Sequence, residues 1–259
     1  MSTFTKPTEL LAQTAHRPWP LPTGPWVMTQ RWQDLLFAHW PIAPNVMRAL
    51  APPQLELDLF DGEAWVGVVP FRMSNVRPRG IPALPWLSAF PELNVRTYVR
   101  ARSDREPKPG VYFFSLDAAN PVAVAVARAA YLLPYFRAKM RVQHAAEIIQ
   151  YSSQRTHGGA PSADLVCQYG PTSPVYAAAP GTLEHWLTER YCLYTIGRQG
   201  KVVRGEIQHQ PWPLQRAQAQ IEVNTMAAAA GLTLPAAPPL LHFAASIDVL
   251  VWPIAPVQS

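Results

Sequence analysis

The sequence predicts an α+β fold in which strands far outnumber helices and the helices are short. Three observations point there. Segments of strand length, alternating or apolar on both faces, recur from residue 55 to residue 252. Proline is abundant, 29 residues in 259, which stiffens connections and keeps helices short. Helical spacing occurs only in brief stretches, and there is no internal repeat.

Residues 1–25, proline-rich and polar, are expected to form an N-terminal arm over a single domain, 26–259. Trp32, Leu35, Leu36, His39 and Trp40 share a face at helical spacing, which predicts a helix over Gln30–Trp40. Pro44–Leu50 is a second short helix, ended by Pro52-Pro53. Leu55–Phe60 alternates leucine with acid, a half-buried strand, and Asp61-Gly62 is a hairpin turn. Ala64–Val76 returns as a long strand that Pro70 must bend or place at an edge. The proline-rich stretch 77–91 is a loop, either a lid over a pocket or a rigid packed connection. Glu92–Arg102 and Val111–Asp117 are strands, the second apolar on both faces. Asn120-Pro121 opens a helix to about Leu132. Arg141–Tyr151 and Ala163–Tyr169 read as strands joined by a turn at His157–Gly159. A helix Thr182–Arg190, strands Tyr191–Ile196, Lys201–Gln208 and Leu214–Val223, a short helix Asn224–Ala230 and a last strand Leu241–Trp252 complete the chain.

Hydrophobic content of 49% supports a large core, and charged residues are only 15%. No apolar run approaches the ~20 residues of a membrane-spanning helix. The N-terminus lacks a basic segment followed by an apolar one, so it is not a secretory signal. The chain is therefore read as cytoplasmic, with no membrane partner. The net charge of +5 is spread over scattered arginines rather than a basic run, which argues against nucleic acid. Cys167 and Cys192 form no CxxC pair and read as buried thiols. The histidines lack HxxxH or HExxH spacing, and there is no P-loop, GxGxxG or GxSxG. No metal and no cofactor are expected. The oligomeric state stays open, a homo-oligomer included.

Strand parity puts Glu92, Asn94, Arg96, Tyr98 and Arg100 on one face. An acid, an amide and a guanidinium on a concave face would orient a carboxylate or carbonyl ligand, and Arg96 would favour an ionised Glu92. A solvent face with an ordinary ion pair has the same pattern. His209 could serve as acid or base, or be a satisfied group at a strand end. Trp212, between Pro211 and Pro213, could line a pocket or plug a core.

The runs FPELNVRTYV and GVYFFSLDAANPVAVAVARAAYLLPYFRAKM, with Glu189–Tyr194 and the HQPWPL segment His209–Leu214, carry a resemblance. Their order resembles the acetoacetate decarboxylase-like superfamily, within its uncharacterised YqjF-like family, from about residue 28 to 252. The resemblance implies a large antiparallel, partly closed β-barrel or cone with short peripheral helices and an internal cavity. It also implies that Glu92 matches an active-site glutamate. In the decarboxylases a lysine of depressed pKa follows the proline of this turn and forms a Schiff base. Here that position is Tyr135, after Pro134, and Phe136 stands where a neighbouring lysine would be. Tyr135 cannot form an imine, although its hydroxyl could donate to a ligand. Lys139, four residues on, is the only lysine nearby and would share the side of Tyr135 on a helix. Two readings follow. One is a protein that binds a small aromatic or carboxylated molecule through Glu92, Asn94, Arg96, Tyr135 and Trp212. The other is an enzyme doing lysine-independent acid–base chemistry with Glu92, Tyr135 or His209 on a small carbonyl or carboxylate substrate.

Overall fold

The computed structural model describes residues 4–257. Helix α1 (Pro7–Ala12) precedes strand β1 (Met28–Ile42), helix α2 (Pro44–Leu50) and strands β2 (Leu55–Leu57), β3 (Ala64–Pro78), β4 (Phe90–Ala101) and β5 (Gly110–Ala118). Helix α3 (Pro121–Ala130) leads to strands β6 (Tyr135–Ala145), β7 (Ile148–Arg155) and β8 (Asp164–Pro171). Helix α4 (Leu183–Thr188) is followed by strands β9 (Cys192–Ile196), β10 (Val202–Gln208), β11 (Leu214–Asn224), β12 (Leu240–Val251) and β13 (Ala255–Pro256).

Local chemistry sets many of these boundaries. The Asn120 side chain accepts from the N–H groups of Val122 and Ala123, capping α3, with Pro121 in its first turn. Thr182 caps α4 by accepting from His185 N–H. Asp61 and Gly62 both have positive φ, 49° and 83°, as a tight turn of opposite hand to the common type demands. Pro70 lies inside β3, where the pairing with β1 is interrupted between Ala38↔Val68 and Gln33↔Arg72. A residue without an N–H costs no ladder bond there.

The predicted helix over Gln30–Trp40 is strand β1 instead. Asp34 has φ 54° and forms a bulge, with its carbonyl accepting from the Tyr169 hydroxyl at 2.7 Å. The extra residue switches which face each side chain meets. Trp32 and Leu35 therefore pack in one core and Leu36 and Trp40 in another, a pattern that imitates helical spacing. The strand expected at Arg141–Tyr151 is two strands, β6 and β7, joined at Ala146-Glu147. Ala146 takes positive φ there without the glycine or proline that marks most turns. Lys139 consequently lies on a strand, not on a helix turn beside Tyr135, and its side chain is exposed. The helix expected over Asn224–Ala230 is a single tight turn at Ala228–Ala230. The strand expected at Leu55–Phe60 pairs with β4 over Leu55–Leu57, and Phe60 forms only an isolated bridge to Glu63 across the turn.

The strands form one continuous sheet that closes twice. The run β12-β1-β3-β4-β5 is a wall common to two rings. At one edge β5 forks, pairing with β9 through Val111 and Tyr112 and with β6 through Leu116 to Ala118. At the other edge β12 forks, pairing with β10 at its end and with β11 near Ala244. Adding β9 and β10 closes a seven-stranded ring; adding β6, β7, β8 and β11 closes a nine-stranded barrel. Closure removes most free edges. The barrel is closed and mixed, where the expectation was partly closed and antiparallel, because both partners of β5 at its fork run parallel to it. Gly110 permits the β5–β9 approach, since a Cβ there would stand 2.7 Å from Cys192 Sγ.

Each ring encloses its own core. Leu35, Phe37, Val69, Phe71 and Phe113 fill the seven-stranded ring, and Leu36, Trp40, Val68, Leu93, Tyr151 and Tyr169 fill the other. The N-terminal segment crosses the closure of β10 on β12. Leu10 packs on Leu250 and Trp252, Arg17 donates to Ile207 O at 2.6 Å, and Gln208 Nε2 donates to Leu10 O at 3.0 Å. Among the described residues no helix is long and apolar enough to cross a membrane. Cys167 and Cys192 are buried free thiols, both pushed up to about 12 by burial.

Candidate functional site

The seven-stranded ring holds a cavity of about 200 Å³, and every one of its strands contributes to the lining. The even residues of β4 run along its length: Phe90, Glu92, Asn94 and Arg96. Successive pairs are ~7 Å apart, so Glu92 and Arg96 stand ~13 Å apart along the strand. Several lining residues that keep contact with solvent lie together at one end: Met28 on β1, Val76 on β3, and Ala123, Val126 and Ala127 on α3. Val126 is 56% exposed. That end is the mouth. Arg96, Thr188, Arg190 and Trp212 are all buried and form the deep end.

Tyr135 and Trp212 occupy the two forks where the rings part. Tyr135 is the first residue of β6, and Trp212 belongs to the link that carries the chain from β10 to β11. The phenol of Tyr135 donates to Glu92 Oε2 at 3.0 Å. The Glu92 main-chain carbonyl accepts from the Tyr151 hydroxyl at 2.7 Å, so the residue is held from both rings. Glu92 is 3% exposed. Burial raises its carboxyl from 4.5 to about 8, against the opposing pull of the Tyr135 hydrogen bond and with a further push from Asp117. Burial, and then the Glu92 charge, raise the Tyr135 phenol well above its ordinary value. The expected ionisation of Glu92 by Arg96 is not found. The span along β4 is too long, and Arg96 turns instead to Leu187 O at 3.4 Å and to the rings of Phe37 and Tyr98.

The deep end is built by the two short runs Glu189–Tyr194 and His209–Leu214 folding onto each other. Glu189 accepts from the Trp212 main-chain N–H at 2.8 Å and from the Tyr191 hydroxyl. The His209 ring stacks on Tyr191 at 4.6 Å, with its nitrogens facing the carbonyls of Gln210 and Arg190. His209 thus supports the wall but does not line the cavity, and burial lowers its pKa. Arg190 is bound to Asp58 at 2.5 Å and reaches the cavity as well. Trp212 packs against Trp32 and Phe37.

Four buried polar atoms on cavity-lining residues have no protein partner: Asn94 Oδ1, Arg96 Nε, Arg190 Nη2 and Trp212 Nε1. Three are donors, and such groups are normally satisfied. Glu92, Asn94, Arg96, Tyr135 and Trp212 therefore share one cavity, and His209 and Lys139 lie outside it. Thr188 and Arg190 join the lining without having been singled out by sequence pattern. Among the described residues no group of acidic, histidine and cysteine side chains is arranged to hold a metal ion.

The family of uncharacterised conserved proteins designated DUF2071 matches residues 29–248. The uncharacterised protein YqjF of Bacillus subtilis is 47% identical over 234 residues, 90% of this chain and 94% of that protein. Among solved structures, the acetoacetate decarboxylase of Legionella pneumophila superposes with a TM-score of 0.57 at 16% identity, over 100% of this chain and 98% of that one. The enduracididine biosynthesis enzyme MppR, complexed with pyruvate, superposes with a TM-score of 0.58 at 10% identity, over 95% of each chain. At such identities the likeness concerns the fold alone. The chain belongs to the DUF2071 family and has the acetoacetate decarboxylase-like fold.

Proposed function

We propose that this DUF2071 protein binds a small carboxylated or aromatic molecule in the cavity of the seven-stranded ring, without Schiff-base chemistry. The observation that carries this reading is the set of unpartnered, buried polar atoms on Asn94, Arg96, Arg190 and Trp212, all lining a chamber whose walls are mostly apolar. Apolar walls with a few directed polar groups are the usual make-up of a small-molecule site. The position after Pro134 holds Tyr135, and Lys139 is exposed on β6, so among the described residues no lysine lines the cavity. Native mass spectrometry against a panel of aromatic and aliphatic carboxylates tests the reading. The parent protein should take up one equivalent of at least one compound, and Ala123→Trp, which fills the mouth, should take up none. Absence of any adduct on the parent, or an equal adduct on Ala123→Trp, overturns it.

The Glu92–Tyr135 pair favours a second reading, an enzyme performing acid–base chemistry on a small carbonyl or carboxylate substrate. A carboxyl that titrates at about 8 is poised to give or take a proton near neutral pH. His209 has no part in it, because its ring lies outside the cavity. Exchange of a bound compound's protons for deuterium, lost in Glu92→Gln, would select this reading; binding with no exchange selects the first.

A further inference from the structure

We infer that the cavity takes an anionic amphiphile head-first, its carboxylate at Arg96 and its apolar tail running past Glu92 toward α3. This rests on the reading of the cavity as a binding site and specifies the class and orientation of its occupant.

Polarity and depth change together along the chamber. Arg96 is 8% exposed and its guanidinium forms no ion pair among the described residues; the contacts of that group are one long bond to Leu187 O and the ring faces of Phe37 and Tyr98. Arginine stays charged in any such setting, so a buried one without an anion is costly. The unpartnered donors Arg96 Nε, Arg190 Nη2 and Trp212 Nε1 belong to the same deep end. Glu92, held protonated through neutral pH by its burial, does not cancel the Arg96 charge. The deep end therefore offers a guanidinium with no ion-pair partner among the described residues, and several donors, which suits a carboxylate.

Toward the mouth the lining is mainly apolar, with Phe90, Met28, Val76, Ala123 and Val126, and Gln30 beside Met28 spends its carbonyl on the Trp32 indole at 2.9 Å. The apolar character continues outside. Val122 and Val126 of α3 are exposed, and Trp86 of the adjoining loop is 72% exposed, its carbonyl tied to Asn120 Nδ2 at 2.9 Å. A short, wholly polar ligand would leave this length of apolar wall unused.

Titration calorimetry near neutral pH with straight-chain acids from butyrate to decanoate, and with the matching primary alcohols, tests the inference. Affinity for the acids should rise about fourfold per added methylene while the tail remains inside, then level off. The alcohols should bind at least ~10-fold more weakly, the factor set by one lost charge-assisted contact. Arg96→Met should bring the acids down to the level of the matching alcohols measured on the same variant. Val126→Asp, at an exposed position that folding tolerates, should weaken the long acids and spare the short ones. No gain with chain length, equal binding of acids and alcohols, or a preference for acids that survives Arg96→Met overturns this inference alone. Failure of every acid, alcohol and aromatic carboxylate to bind overturns the binding reading with it.

Discussion

Glu92→Gln should remove a pH dependence of folding that the parent protein carries. The Glu92 carboxyl titrates at about 8 in the folded chain against an ordinary value of 4.5. Its proton is thus bound more tightly when the chain is folded. Its contribution to stability is complete below the ordinary value and is lost as pH rises through about 8. Between about pH 6 and pH 9 the loss attributable to this one group is about 3 kcal/mol, two pKa intervals at ~1.4 kcal/mol each. Glutamine keeps the shape and still accepts from Tyr135, which donates at 3.0 Å, but it cannot titrate. Urea unfolding of both proteins across this interval measures the effect. The parent should lose about 3 kcal/mol more than Glu92→Gln, with the divergence growing steadily from about pH 6 and levelling off above pH about 8. Parallel curves for the two proteins would refute the argument that burial holds Glu92 protonated.

Three further outcomes follow from the same geometry. Tyr135→Phe should cost only ~1 kcal/mol, the net worth of one hydrogen bond, and move the Glu92 midpoint upward, because that bond opposes the shift; a midpoint that stays or falls contradicts this. Asp117→Ala should cost ~3–5 kcal/mol, since it strips the buried Arg155 of both bonds at 2.7 Å; urea unfolding reads the loss, and the double variant Asp117→Ala, Arg155→Leu should regain part of it. Borohydride reduction in the presence of a β-keto acid should leave the protein's mass unchanged, because Tyr135 stands after Pro134 and Lys139 points to solvent; a mass gain mapped to Lys139 would reverse the conclusion.

Where local rules governed, the sequence was a good guide. Parity along β4 brings Glu92, Asn94 and Arg96 to one cavity, because that strand keeps strict alternation over these residues. The helix starts at Asn120 and Thr182 and the Asp61-Gly62 turn were equally legible. Local rules failed where the backbone broke its period. The bulge at Asp34 gave β1 a helical rhythm, and the turn at Ala146 lacks any glycine or proline. The site's deep end was legible only in part. Arg190 and Trp212 lie in runs that resembled the family, yet only non-local closure of β9 and β10 turns them toward Arg96. His209 shows the converse: its residue type suggested chemistry, but stacking on Tyr191 makes it part of the wall. The expected Glu92–Arg96 interaction overlooked the ~13 Å that four strand residues span.

The most direct measurement is a crystal structure with an ω-bromo medium-chain alkanoate, in which anomalous scattering locates the bromine without ambiguity. The account predicts the carboxylate within hydrogen-bonding distance of Arg96 Nε, the chain beside Glu92 and Tyr135, and the bromine near Val126 at the mouth. A bromine peak at Trp212 with the carboxylate at the mouth, or density only outside the seven-stranded ring, would contradict it.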